Sequence, residues 1–425
     1  PGPILPLKPL SGFAPSLIPV LLRRRQIPTW ILPVRLEEVG YRELATAMLK
    51  GRELSDRSLQ LDALDGLRGL AALIVFAAHA SNARMHLLPP LDLSGNGKSG
   101  VFLFFVLSAF LLTRPFLTGG AAKYTVASLL SYLARRCTRV YPLYAVYLLS
   151  CVVSTATVWR ILGLPEPQGI PMTLSTEQAI RHFTLLEGIG VTWSIAVEFK
   201  YYFLLPVVAA ILAACRHRLP AAGFLIVASI GACLWAWPDS AYRGDDVRLG
   251  FYLPAFLVGS FLALVEFRLR TSAPALFQGV PKVADGLALA AAAGLFLMVP
   301  SVASWTTGRE LDPGAFHRQV VPFAVLWGFV LLATVISRGW VHRAMNLPWL
   351  RFFGFISFSF YLVHPLFIEV GKLLVSRQAV HPTLAAWLSL AACTLASWLS
   401  FRLIERPSSR WRLGFGGRMA GLEQQ

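Results

Sequence analysis

Long apolar runs almost free of charge limit what this chain can become. Residues 321–336 read VPFAVLWGFVLLATVI, and residues 286–300 read GLALAAAAGLFLMVP. About 20 mostly apolar residues in a helix cross the ~30 Å hydrocarbon layer of a bilayer. Inside that layer only a helix or a closed barrel satisfies its own backbone hydrogen bonds. The whole chain is 56% hydrophobic and 14% charged, whereas soluble domains carry about 25% charged residues. Ten segments qualify by apolar content: 67–84, 100–117, 140–158, 193–214, 221–238, 248–267, 283–300, 318–337, 353–372 and 383–402. The expected fold is therefore all-α, a polytopic transmembrane bundle of about ten spans.

The net charge of +17 would suggest nucleic acid in a soluble protein. Here its distribution points to lipid instead, with no nucleic-acid partner expected. With both termini placed in the cytoplasm, 28 of the 39 Lys and Arg fall on the inner side and 10 on the outer, and Lys200 lies within a span. That bias is the positive-inside pattern, and an eleventh span would spoil it. A multi-pass integral membrane protein is the expected setting.

Three regions follow from composition. Residues 1–60 are rich in proline, contain Arg23, Arg24 and Arg25, and read as a cytoplasmic, partly disordered extension. The chain opens on Pro1 rather than Met, which leaves its natural start open. Residues 61–410 hold the apolar segments, and 411–425 form a basic cytoplasmic tail. The five cysteines (137, 151, 215, 233 and 393) lie in or beside apolar segments without metal-ligand spacing. They read as small core residues, and no metal is expected.

Ionisable groups inside hydrocarbon are costly and need a reason. The first span, LDGLRGLAALIVFAAHA, carries Arg68 near its cytoplasmic end and His79 eleven residues later. Eleven residues are three turns plus about 20°, so both side chains share a face about 16 Å apart along the axis. His79 reads either as a packed core histidine or as a general base for a hydroxyl. The cluster RRCTRVYP holds Arg136 and Arg139. It is either a positive-inside anchor or a phosphate site suited to guanidinium forks. Span four, TWSIAVEFKYYFLLP, brings Trp193, Glu198 and Tyr202, with Tyr202 one turn beyond the carboxylate. Glu198 is either half of a structural ion pair or an unpaired intramembrane acid. Span nine, RFFGFISFSFYLVHPLFI, brings Arg351, Tyr361 and His364, with Pro365 next. A proline there leaves a backbone carbonyl of the preceding turn without its donor. This topology expects His79, Glu198 and His364 at similar depth in the outer half, and Arg68, Arg136, Arg139 and Arg351 near the inner surface.

These blocks resemble, in order, those of the acyltransferase-3 family of membrane O-acyltransferases. Arg68 and His79 fit its basic residue, ten residues, then histidine. GVFLFFVLSAFLL, RRCTRVYP, TWSIAVEF–YYFLLP, ISFSFYLVHP and the closing FRLIERP (Phe401–Pro407) resemble its further blocks. Two positions depart from it: Ala109 stands where many members have Gly, and Phe199 where many have a second acid. The resemblance implies transfer of an acyl group, usually acetyl, from acyl-coenzyme A (acetyl-CoA) to a hydroxyl of a carbohydrate or lipid-linked glycan acceptor. It assigns His79 as base, oriented by Glu198, and Arg68, Arg136 and Arg139 to the coenzyme phosphates. Tyr361, His364, Trp193 and Tyr202 are left to the acceptor or the oxyanion. Some members add a C-terminal esterase domain; this chain is expected to act alone or with a separate partner. The alternative from the same residues is a proton-coupled transporter or flippase, with His79 and Glu198 as relay.

Overall fold

The computed structural model describes residues 41–154, 174–242, 244, 246–272 and 281–411. These hold helices and no strands. The chain divides into two compact units, Pro1–Arg57 and Ser58–Gln425. In the first unit residues 41–57 are helical. Residues 1–40 of the expected extension lie outside the described residues, and from Tyr41 onward the backbone is helical. The tail beyond residue 411 also lies outside them.

In the second unit, the part of α1 (Tyr41–Asn82) from Asp62 onward is the first apolar span. It is followed by α2 (Gly97–Thr118), α3 (Val126–Ser154), the short α4 (Thr176–Phe183), α5 (Thr192–Ala214), α6 (Leu219–Ala236) and α7 (Leu249–Ser272). Then come α8 (Pro281–Leu297), α9 (Pro300–Thr307), α10 (Val320–Ile336), α11 (Trp340–Met345), α12 (Pro348–Phe355), α13 (Ser357–Ser376) and α14 (Pro382–Ser400). Among the described residues, seven helices are long and apolar enough to cross a membrane. An eighth is counted if α8 and α9, bent by 82° at their break, make one span.

Three of the ten expected spans depart from that test. α10 has 17 residues, which is short for a 30 Å layer. The segment 283–300 breaks where Met298 and Val299 leave the helix before Pro300, and Pro starts a new one readily. The third departs most. Its helix begins at Val126, not near 140, so Arg135, Arg136 and Arg139 lie in mid-helix rather than at a loop mouth. Those charges lower its hydropathy, and its expected end at 155–158 lies outside the described residues.

Small residues set how closely the helices approach. Gly100 of α2 faces α1, where an added methyl would stand 2.6 Å from the Ala71 carbonyl oxygen. Gly259 of α7 is pressed in the same way against Val106 of α2. Such positions allow backbone-to-backbone packing where lipid supplies no hydrophobic drive. α2 packs on α7 and α5, and α13 on α14. Phe102, Phe105, Tyr201, Tyr252 and Phe256 fill the space between with no more than 1% exposure. On the lipid side, Phe224 and Val227 of α6 are 73% and 69% exposed.

α3 is tied to its neighbours by tyrosines. Tyr132 donates to the Tyr202 carbonyl at 3.3 Å, and Tyr144 to the His182 carbonyl at 2.9 Å. This docking turns one face of α3, with Arg136 and Arg139 three residues apart, toward α1, α5 and α13.

Candidate active site

A cavity lies between α1, α2, α3, α5 and α13, with an empty volume of about 870 Å³ including its open mouth. Three guanidinium groups line it: Arg68 from α1 and Arg136 and Arg139 from α3. All three residues are half-buried. Beside them stand Glu198 and Tyr202 of α5, Ser108 of α2 and Ser357 of α13. The remaining wall is mostly apolar and follows α2 from Leu112 back to Val101. Eleven residues of helix make that wall about 16 Å long. The result is a slot, cationic at one end and greasy along its length.

Ser108 donates to the Glu198 carboxylate at 2.5 Å, and Tyr202 faces the same group. The carboxylate also acts electrostatically on Arg68 and Arg136. Arg68 has a second acid, Asp65, at 3.7 Å on its own helix. Behind the arginines stands Glu405, 5% exposed, in a turn of wide π-type winding over Phe401–Glu405. Its carboxylate accepts from the Ser359 hydroxyl at 2.9 Å and from the Ser359 backbone N–H. It interacts with both Arg139 and Arg68.

The histidines occupy a different place. His79 and His364 meet edge to face with ring centroids 5.0 Å apart. Pro365 has no N–H to give the Tyr361 carbonyl, and His364 Nδ1 takes up that carbonyl at 2.8 Å. Neutral His364 then carries its proton on Nδ1 and a lone pair on Nε2. Nε2 is buried and has no hydrogen-bond partner among the described residues. Gly97 opens the approach to His79, where a methyl would stand 3.2 Å from Cδ2. Neither histidine lines the arginine cavity.

Tyr361 is the wall between the two places. It lines the cavity, its hydroxyl is 2.8 Å from that of Ser194, and its ring lies 5.9 Å from His364 and 6.2 Å from Phe104. Ser357, Tyr361 and His364 sit at i, i+4 and i+7 on one stripe of α13, about 10 Å from first to last. Val101, at the far end of the slot, is one turn from Gly97 and so about one turn from His79.

The expected residues therefore assemble in two groups. Arg68, Arg136, Arg139, Glu198, Tyr202 and Tyr361 share the cavity, whereas His79 and His364 pair beyond its end. Glu198 makes no hydrogen bond with His79. Its partner Ser108 is eleven residues along α2 from Gly97, so the carboxylate sits about 16 Å nearer the arginine end. The expectation of equal depth for Glu198 and His79 fails because α5 starts deep in the bundle. Trp193 is packed on Tyr252 at 4.8 Å and Phe105 at 6.0 Å under the Lys98 ammonium, off the cavity wall. Arg351 pairs with Asp62 at 2.8 Å and does not line the cavity.

Sequence reasoning gives no role to Glu405 or Ser357, although both lie in the blocks quoted above. Glu405 carries the same signal as Glu198, an acid at the end of an apolar segment. Ser357 carries none, since serine is ordinary in such helices. The five cysteines are free, with 151, 233 and 393 buried. Among the described residues no three His, Cys, Asp or Glu side chains gather as a metal site would require.

Comparison with known proteins places this geometry in context. The profile of the acyltransferase-3 family, described as an acyltransferase domain, matches residues 61–402. A Staphylococcus aureus protein provisionally named an O-acetyltransferase is 26% identical over 372 residues, covering 81% of this chain and 56% of its own length. The chain thus spans little more than half of that relative. A Komagataeibacter xylinus protein, provisionally named a membrane-bound transacylase, is 28% identical over 362 residues, covering 81% of each. The acyltransferase MdmB of Streptomyces mycarofaciens is 26% identical over 392 residues, covering 83% of this chain and 93% of its own. No solved structure matches.

Proposed function

This chain belongs to the acyltransferase-3 family, and from that premise we propose that it is a membrane O-acyltransferase. It moves an acyl group, acetyl on this reading, from acyl-CoA to a hydroxyl of a carbohydrate or lipid-linked glycan. The observation that carries the proposal is the slot: three arginines at one end, an apolar wall about 16 Å long, and a histidine pair one turn beyond. Coenzyme A has that order of shape, with phosphates, then a narrow pantetheine arm, then the thioester.

On this reading Arg68, Arg136 and Arg139 grip the phosphates, where charge-assisted hydrogen bonds are strongest. The arm follows the α2 wall and delivers the thioester toward Tyr361. His79 takes the proton of the acceptor hydroxyl as its oxygen attacks the thioester carbonyl. The tetrahedral intermediate collapses, the C–S bond breaks, and His79 returns the proton to the departing thiolate. The thioester is already activated, so positioning and oxyanion stabilisation suffice without a covalent enzyme intermediate. Tyr361 and His364 stand where the acceptor or oxyanion is held. Arg68 serves both binding and the electrostatics of the step, and Glu198 belongs to the donor end. Trp193 and Tyr202 support the acceptor and donor walls.

The topology that suits this chemistry has ten crossings: α1, α2, α3, α5, α6, α7, the α8–α9 pair, α10, α13 and α14. Both ends lie in the cytoplasm by the charge bias. The arginine end then meets cytosolic acyl-CoA, and the histidine end meets an acceptor from the far side of a bacterial inner membrane. One observation favours the transporter reading, the 82° break between α8 and α9, since broken helices mark many substrate paths.

The test is thiol release from acetyl-CoA by the purified protein in nanodiscs, with a panel of glycan acceptors. Wild type that releases thiol, and His79→Ala that binds CoA without releasing it, support the enzyme. Absence of any CoA binding would move the transporter ahead.

A further inference from the structure

The open N-terminus of α13 points to a second element of the donor site. Residues near a helix start have N–H groups with no acceptor one turn back, and the helix dipole adds positive potential there. Ile356 precedes α13 without a side-chain cap. The Ser359 N–H is taken by Glu405. Ser357 and Phe358, the first two residues of α13, both line the cavity. A separate observation marks the same spot. Ser357 lines the cavity that holds the three arginines and is 1% exposed, and among the described residues its hydroxyl has no hydrogen-bond partner. A hydroxyl buried so completely is almost always satisfied in a native protein.

We propose that Ser357 and the first turn of α13 form a phosphate-binding wall facing Arg68, Arg136 and Arg139, gripping a phosphate group of the acyl donor. The inference rests on the acyl-CoA reading for the ligand's identity, but not for its chemistry. Arginines supply charge from α1 and α3, and the helix start supplies neutral donors from the other side. Glu405, bound to Ser359, occupies the third N–H. Its place behind the arginines keeps its charge out of the slot.

The experiment is calorimetric binding to the full-length protein in nanodiscs, for wild type, Ser357→Ala and Ser357→Thr. The probes are CoA, dephospho-CoA, phosphate-free pantetheine and inorganic pyrophosphate. Loss of one charge-assisted hydrogen bond weakens CoA by about tenfold in Ser357→Ala. Pantetheine binding stays unchanged, and Ser357→Thr, which keeps the hydroxyl, restores most of the CoA affinity. Dephospho-CoA separates two sources: an effect that persists assigns the diphosphate, and one that vanishes assigns the 3′-phosphate. Unchanged CoA affinity in Ser357→Ala overturns the proposal. Equal weakening of pantetheine overturns it too, since the residue then acts through packing. Wild type that releases no thiol yet binds pyrophosphate in a Ser357-dependent way retains the site and removes the acyltransferase reading. Binding of neither CoA nor pyrophosphate removes the site.

Discussion

His79 meets His364 edge to face at 5.0 Å, and this pair lies beyond the end of the cavity that the three arginines line. The two imidazoles are on α1 and α13, and Pro365 fixes the second by freeing the carbonyl that His364 Nδ1 binds. The histidine pair and the arginine cluster thus lie apart, which makes the roles proposed for them separable in experiments.

His79→Ala is expected to lower kcat by 10²–10⁴-fold, the usual contribution of a positioned acid or base, with the dissociation constant for CoA unchanged. His364→Ala is expected to lower kcat by roughly tenfold through loss of the ring that packs on His79. Thiol release and calorimetry on the same samples check both. A His79→Ala protein with wild-type turnover would move the base elsewhere.

Glu198→Gln distinguishes two placements for this carboxylate. With Glu198 at the donor end, beside Ser108 and the arginines, CoA affinity should weaken by about tenfold and kcat should change less. Orientation of His79 by Glu198 would instead depress kcat at constant CoA affinity. Steady-state kinetics over a range of acetyl-CoA concentrations reads the split.

The arginine cluster predicts a salt-dependent donor affinity. Arg136→Ala and Arg139→Ala should each raise the KM for acetyl-CoA by at least about tenfold, as expected for losing a hydrogen bond between charged groups. Both should also flatten the dependence of KM on ionic strength. Arg351→Ala serves as the contrast, because its guanidinium is engaged by Asp62; its KM should stay within about twofold.

Close helix approach predicts where glycine is indispensable. A methyl at Gly354 would collide with the Asp65 backbone carbonyl, and one at Gly66 with that of Met345. Gly354→Ala should therefore destabilise the protein by about 1–3 kcal/mol, the usual cost of overpacking. Gly231 of α6 has nothing within 4 Å of an added methyl, and Gly231→Ala should be neutral or slightly stabilising. Thermal unfolding of the two variants in one detergent checks the contrast.

Several of these relationships are legible in the amino-acid order alone. Arg68 and His79 read as one stripe of α1 because an eleven-residue spacing in a helix fixes both azimuth and rise. Arg136 and Arg139 are recognisable as a cluster, and Pro365 announces a free carbonyl. Depth across elements is not legible. Counting from the start of its apolar run places Glu198 level with His79, yet α5 begins deeper in the bundle and brings it to Ser108. Helix limits mislead at α3 as well, because its arginines look like a loop in hydropathy while their backbone is helical from Val126.

Local sequence dictates that the described part of this chain is helical, rich in apolar spans, and marked by a few ionisable groups at fixed spacings within single helices. Hydropathy and the 3.6-residue repeat act within one segment, so no distant residue is needed to read them. Long-range packing, by contrast, sets the arginines against a slot with Glu198, Tyr202 and Ser357 and pairs the histidines beyond its end. It also returns Glu405 from the last turn to serve both Ser359 and the arginines. Those contacts join residues up to several hundred positions apart. Their registers depend on which small residues let two backbones approach, a condition set jointly by both helices.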